Sequence, residues 1–303
     1  MNGIPVLSVE GDCLARAWEN SLVALYQHGC ELATEYDKPG DLPSKDATMV
    51  ITVHDPLAEP MIHRDLPCGL EELQEYVMEV CEGIKDHWVR DPNNPADTRW
   101  EYTYHCRLFA YDVPTVGTID QIEQLVRKLA EAPHTRRAQA ITWKVWEDAI
   151  CYDPACLQSI WCRLTPAEPW RAVGQQPGAD AHARPSPSPQ LLLNMNVRFR
   201  SNDAYKAAMM NMFALAHLQE QIAARVGELL GQPIGVGRYC HVADSYHIYG
   251  SNRREFEARF LGALQRRSFE QRTLRYADVR ELMEAARPKI LEKAHALGRA
   301  EPS

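Results

Sequence analysis

Cys156 sits in the run Asp153-Pro154-Ala155-Cys156-Leu157, and a cysteine becomes a nucleophile once its thiol loses a proton. A lone cysteine is more often a small buried hydrophobe, and Cys151 and Cys162 read as core or loop thiols of that kind. Arginines form the second group. Arg136 and Arg137 are adjacent, Arg200 stands beside Ser201, and a planar guanidinium presents paired donors that match phosphate oxygens. On charge pattern alone, an Arg-Arg pair ahead of a strand is a solvated patch. Asn211 lies among Met210, Met212 and Phe213, where burying an amide without a partner is costly. Its side chain offers one acceptor and one donor pair. His247 and Tyr249 are two apart, so on a strand both face the same way. Glu75 and Glu79 are four apart and share a helix face, where either could handle a proton or simply meet solvent beside Glu71, Glu72 and Glu82.

The elements that must hold these groups emerge from hydrophobic periodicity. Ile122, Leu125, Val126 and Leu129 recur at helical spacing, with Asp120 in the first turn, and predict a helix over 119–131. Residues 138–146 alternate like a half-buried strand, and 160–164 begin another. A strand over 191–200 precedes a long apolar helix over 204–230, which Gly231 and Pro233 end. A strand over 237–249 follows, and two or three helices close the chain. Before Tyr111 the pattern is sparse, giving a strand-like run at 49–53 and an amphipathic helix over 70–84. The tract 166–189, rich in Pro, Gly, Ala and Ser, buries too little apolar surface to order itself and reads as an inserted flexible loop.

A chain of 303 residues that is 45% apolar can bury a large core, and it is read as a single domain over 1–303 with a divergent part at 1–99. Its net charge of -8 argues against a nucleic acid polymer as partner, because phosphate backbones demand a cationic surface. The apolar run 207–218 is interrupted by Asn211 and His217 and is too short for a membrane span, so it is a buried helix. Nine cysteines without a C-x-x-C pair, and no secretory signal pattern, predict free thiols in a cytoplasmic protein with no metal.

The tract Thr135-Arg136-Arg137-Ala138-Gln139-Ala140-Ile141-Thr142-Trp143 resembles the double-arginine motif of thymidylate synthases, and Cys156 follows Arg137 by nineteen residues, as in that family. Tyr104 lies thirty-two residues before Arg136, where the family keeps an active-site tyrosine, and Asp120-Gln121-Ile122 resembles the helix start between them. Downstream, Arg200-Ser201-Asn202-Asp203 followed eight residues later by Asn211 resembles the family's Arg-Ser-x-Asp and its base-reading asparagine. His247-Ile248-Tyr249 completes the series, which covers roughly 100–255. The wording of Asp203-Ala204-Tyr205-Lys206 and of Asp244 to Tyr249 looks closest to the methanogen-type branch.

The resemblance implies an α/β (α+β) fold of thymidylate synthase type, in which a large mixed sheet forms a dimer interface and helices pack on its other face. It implies reductive methylation of dUMP to dTMP with 5,10-methylenetetrahydrofolate, or a related reduced pterin, as co-substrate. Cys156 would add to uracil C6, because C5 is a poor nucleophile until a thiolate has added beside it. Arg200 would lower the thiol pKa. Arg136, Arg137 and Arg200 would clamp the 5'-phosphate, Ser201 adding a hydroxyl and favouring the deoxy sugar. The double arginine would reach across a twofold axis, making an obligate homodimer with shared sites. Asn211 would read uracil, and His247 and Tyr249 would contact the sugar 3'-hydroxyl. Asp203 would bind the pterin ring, and Trp88 and Trp100 would form the aromatic wall of the folate site. Tyr104 would help position the water network that removes the C5 proton. Aligning the apolar positions Tyr76, Val77, Val80 and Cys81 places Glu79, rather than Glu75, at the centre of that network.

The resemblance stops short at both ends. No glycine-rich arginine loop occurs before residue 60, and 295–303 do not resemble the apolar tail that closes the ordinary enzyme. Two rivals follow. One is 5-hydroxymethylation of dUMP or UMP, in which water captures the transferred carbon and pocket dryness decides the outcome. The other is a non-catalytic nucleotide-binding protein on the same scaffold, against which the intact Cys156, Arg200, Asp203 and Asn211 argue.

Overall fold

In the computed structural model, which describes residues 3–91, 94, 96–167 and 190–297, the chain opens with β1 (Val6–Gly11), α1 (Leu14–His28), β2 (Cys30–Leu32) and β3 (Ser44–Val53). Leu14, Trp18, Leu22 and Leu25 of α1 bury one face at helical spacing, each contributing about 2 kcal/mol by leaving water. The same helix buries Glu19. Burial pushes that carboxyl up, but hydrogen bonds from His63 and Arg272 outweigh it and hold Glu19 at about 2. The partners lie far off in the chain, which is why α1 leaves so weak a local signal.

Next come β4 (Ile62–His63), α2 (Leu70–Glu82), α3 (Tyr104–Phe109), the hairpin β5 (Tyr111–Val113) with β6 (Gly117–Ile119), and α4 (Gln121–Glu131). The helix expected over 119–131 begins two residues later, because Ile119 closes the hairpin and the Asp120 carboxylate caps α4 by accepting from the Glu123 amide at 2.8 Å. The strand expected over 138–146 is broken. Only β7 (Gln139–Ile141) is extended, and α5 (Val145–Asp148) is a helical turn. Buried Asp148 enforces the turn, accepting from the Lys144 amide at 2.6 Å and from the Arg107 guanidinium at 3.0 and 3.1 Å.

Long strands follow: β8 (Leu157–Pro166), β9 (Leu191–Asp203) and, after α6 (Ala208–Leu230), β10 (Ile234–Ile248). The flexible loop expected at 166–189 reaches the described residues only at 166 and 167; 168–189 lie outside them, as do 298–303 of the tail. The long helix starts at Ala208 rather than Ala204 because Asp203 Oδ1 accepts from the Tyr205 and Lys206 amides at 3.0 and 2.8 Å and folds 204–207 into a turn. The chain ends in α7 (Gly250–Phe256), a π-helical turn, α8 (Gly262–Arg266), α9 (Phe269–Arg272), β11 (Thr273–Leu274), α10 (Tyr276–Ala285) and α11 (Arg287–Leu297).

The main sheet runs β1-β3-β10-β9-β8-β7, with β2 also on β3; β1/β3 and β9/β10 are parallel and the remaining pairs antiparallel. Strand alternation separates its faces. Met49, Ile51, Ile160, Met195, Val197 and Tyr239 are buried on one face, against which α1, α4 and α6 pack. The other carries Thr48, Val50, Trp161, Arg163, Asn196 and Arg198, which keep solvent access. The expected α/β fold, a large mixed sheet with helices, is what the chain forms.

Candidate active site

Cys156 lies one residue ahead of β8, where Leu157 pairs with Phe199 and the Arg200 amide donates to the Cys156 carbonyl at 2.9 Å. The Arg200 side chain completes a clamp, its Nε and Nη2 donating to the carbonyls of Ala155 at 3.1 Å and Pro154 at 2.5 Å. The amides of Cys156 and Leu157 donate in turn to the phenol oxygens of Tyr102 and Tyr104, each at 3.3 Å. Three carbonyls and two amides around the thiol are therefore fixed, and the backbone that carries Cys156 has little freedom of position. Its charge is less favoured than the sequence suggests. Burial pushes the Cys156 thiol above its ordinary value, and the pull of Arg200 in the other direction does not overcome it.

Tyrosines ring the thiol. Burial raises the hydroxyls of Tyr76, Tyr102, Tyr104 and Tyr249, and a charge on Cys156 adds to the rise in each. Neither Tyr76 nor Tyr102 has a site role in the sequence reading. Tyr76 is there an apolar position of α2, whereas its hydroxyl donates to Asn211 Oδ1. The buried Asn211 amide, on the first turn of α6, thus has the partner that its environment demands. A tyrosine on a face otherwise lined by Leu73, Val77 and Val80 was the available signal.

Glu75 and Glu79 project from the same helix and share Lys85, whose Nζ lies 2.7 Å from Glu75 and 3.1 Å from Glu79. Lys293 of α11 adds a second contact to Glu75 at 2.7 Å. The two carboxyls consequently titrate in opposite directions. Burial raises Glu79 despite Lys85, whereas on Glu75 burial is outweighed by Lys293 and Lys85 and the carboxyl is lowered. Glu79 is the one suited to holding a proton. Gly83 ends α2 at φ 68°, and a Cβ there would strike the His105 ring, so glycine lets the chain double back toward α3. Asp86 secures the return by accepting from Thr103 and pairing with His105 at 2.6 Å, which places Tyr104 at the start of α3.

Between these walls lies a cleft of about 470 Å³ lined by Tyr76, Glu79, Trp100, Tyr102, Tyr104 and Asp153, among others. Trp100 stands on its wall. Trp88 is not among the lining residues; its carbonyl accepts from the Trp100 amide at 3.2 Å and so supports that wall. A second hollow of about 360 Å³ shares Tyr76 and Glu79 and reaches Lys206.

At the β9–β10 end, His247 pairs across the sheet with Asp203 on one side and Asp46 on the other. The His247 and Tyr249 rings are 4.5 Å apart at 71°. Burial pushes Tyr249 up to about 12 and raises the Asp203 carboxyl, which the Lys206 and Tyr205 amides and His247 oppose. Ser201 is half-buried at the step between Arg200 and Asn202. Arg136 and Arg137 are exposed ahead of the edge strand β7 and do not line the cleft of their own chain. The motif residue Gln121 joins two elements of the scaffold, its Nε2 donating to the carbonyls of Arg107 and Ile141 at 2.9 and 2.6 Å and so tying α3 to β7.

A family model described as thymidylate synthase matches residues 70–289. Similar relatives bear the description "Putative thymidylate synthase". The one from Methanocaldococcus jannaschii is 26% identical over 250 residues, covering 80% of this chain and 91% of its own length. The one from Methanococcoides burtonii is 25% identical over 241 residues, covering 80% and 88%. Both come from methanogens, the branch that the wording of 203–206 and 244–249 pointed to. Among solved structures, thermostable thymidylate synthase A from Bacillus subtilis aligns with a TM-score of 0.55 at 14% identity, covering 82% of this chain and 84% of the other, a likeness of fold. The family match takes in both cleft walls from Glu75 to Tyr249, and the chain belongs to the thymidylate synthase family.

Proposed function

We propose that this protein is a thymidylate synthase that methylates dUMP to dTMP through Cys156, acting as a homodimer of single-domain chains with 5,10-methylenetetrahydrofolate or a related reduced pterin. The observation that carries the reading is the enclosure of Cys156, whose loop is held by Arg200 and by the cleft-lining Tyr102 and Tyr104. A structural cysteine needs no such frame.

The uracil ring enters with C6 toward the Cys156 sulfur. Arg200 and the Tyr102 hydroxyl are the groups that favour the thiolate against burial. Attack forms the sulfur–C6 bond and moves the ring's electron pair to C5, which then accepts the one-carbon unit. Asn211 Oδ1, with one lone pair engaged by Tyr76, has a second for uracil N3–H, and its amide donates to O4. Glu79, raised by burial, accepts the C5 proton through water with Tyr104 alongside, and expulsion of the Cys156 thiolate regenerates the ring. The cleft fits a flat aromatic co-substrate, with Trp100, Tyr102 and Tyr104 as stacking surfaces. When bound, the reduced pterin supplies the carbon and the hydride. Asp203 is assigned to its ring. His247 and Tyr249 are assigned to the sugar, and Ser201 with Arg200 to the phosphate. The exposure of Arg136 and Arg137 beside the accessible sheet face supports their reaching a partner's phosphate across a twofold axis.

A second reading, 5-hydroxymethylation, is favoured by the polar cleft wall, where Glu79, Arg99, Glu101 and Asp153 keep water near the transferred carbon. Mass spectrometry of the nucleotide formed from dUMP and methylenetetrahydrofolate, with Cys156→Ala as control, separates the two. A gain of one methyl group with dihydrofolate released supports the synthase. A hydroxymethyl product with tetrahydrofolate replaces it with the hydroxylating reading, and no product without tritium release from C5-labelled dUMP removes both.

A further inference from the structure

The strands β3 and β10 pair antiparallel with Asp46 opposite His247, and their register slips between Ala243 and Tyr246. The bulge at Asp244 and Ser245 turns the Ser245 hydroxyl into the strand pair, and bulges of this kind re-aim side chains beside functional sites. Ser245 Oγ lies 2.6 Å from Asp46 Oδ2 and 3.3 Å from His247 Nδ1. A carboxylate can only accept, so the serine gives its one proton to Asp46. Its oxygen is then left to accept from the imidazole, which puts the ring proton on Nδ1. The other nitrogen, His247 Nε2, is buried and has no partner among the described residues. Burial raises the Asp46 carboxyl, and the Ser245 bond opposes the rise by favouring the ionised form that the chain of donors requires.

We propose that Asp46 and Ser245 are positioning residues that hold His247 in the Nδ1-protonated tautomer, presenting Nε2 as a bare acceptor for one hydroxyl of a bound nucleotide's sugar. This rests on the nucleotide reading above and adds to it two residues, one of them outside the matched family span. An acceptor with a single lone pair takes a donated proton and offers nothing to a phosphate or carbonyl oxygen, and with uracil N3–H assigned to Asn211 the sugar hydroxyl is the donor left for it.

Two-bond proton–nitrogen correlation spectra of the full chain labelled with ¹⁵N-histidine, recorded on the neutral ring at alkaline pH, read the tautomer directly. His247 is assigned by the signal lost in His247→Gln. The expected wild-type spectrum has the proton on Nδ1; Ser245→Ala moves it toward Nε2, and Ser245→Thr restores it. Ser245→Ala should weaken dUMP binding roughly tenfold while leaving 2',3'-dideoxy-UMP unchanged. A wild-type proton on Nε2, or equal weakening of both nucleotides, overturns the relay, and the wild-type spectrum needs no variant to fold. A wild-type protein that binds neither nucleotide contradicts the nucleotide reading instead, while its spectrum still judges the tautomer.

Discussion

Around Cys156 side chains hold backbone, whereas along α2 they hold one another. Arg200, Tyr102, Tyr104 and Asp203 all end on carbonyls or amides next to the strands. Tyr76 ends on Asn211, and Glu75, Glu79, Lys85 and Lys293 form a chain of charges. The first arrangement fixes the backbone of Cys156, the proposed nucleophile, to about the accuracy of the sheet itself, because the bonded groups are part of the main chain. The second can rearrange as protons and ligands come and go. Geometry is thus built into one wall and adjustable charge into the other.

The sharpest way to break this contrast is Arg200→Ala. Two carbonyls lose a charged donor, which should cost about 3 kcal/mol in chemical denaturation. The Cys156 thiol also loses the charge that pulls it down, so iodoacetamide alkylation should need a higher pH and turnover should fall on the order of a hundredfold. A stable, fully active variant would mean that the loop holds itself. Tyr76→Phe comes next: it leaves Asn211 Oδ1 without its donor, and KM for dUMP should rise about tenfold with a smaller change in kcat.

The two glutamates sharpen the comparison through pH. Glu79 titrates above its unfolded value, so the folded state holds the extra proton and stability falls as pH rises from the ordinary glutamate range through the raised value. Glu79→Gln should abolish that fall and raise the neutral-pH melting point. Glu75 is lowered, so its contribution is present above the unfolded value and lost as pH falls toward the folded one. Glu75→Gln should therefore lower neutral-pH stability, by about 1 kcal/mol, and flatten the acid limb. Melting curves that move in the same direction would dissolve the distinction between the carboxyls. The smallest effect is expected at the exposed Lys289–Glu71 pair, where Lys289→Ala should change stability by less than about 0.5 kcal/mol and vanish in high salt.

Sequence reading served the sheet wall better than the helical one for the same physical reason. Groups on or beside strands, such as Cys156 just ahead of β8, Arg200 and Asp203 on β9 and His247 on β10, keep fixed intervals because extended backbone and register set their positions, and the strands over 191–200 and 237–249 are legible to within a few residues. Residues whose role is a contact with a distant helix leave no such interval. Tyr76 reads as an apolar position until Asn211, 135 residues on, supplies its partner. The helix α1 stayed invisible because buried Glu19 breaks its apolar pattern, and the compensating Arg272 lies 253 residues away. Asp148 likewise halted the strand expected through 146 by recruiting Arg107, which no local pattern announces. Local periodicity reports the face that an element buries, and long-range polar pairing decides where the element stops.

The central claim is that Cys156, held by the sheet wall, is the atom that attacks a uracil nucleotide. Incubation with 5-fluoro-dUMP and methylenetetrahydrofolate, followed by peptide mapping, tests it most directly. A fluorine at C5 cannot leave as a proton does, so the sulfur–C6 bond should persist and the added mass should reside on the peptide that contains Cys156, with none in Cys156→Ala. A protein that binds the nucleotide yet carries no adduct, or carries it on another of the nine cysteines, would contradict the account.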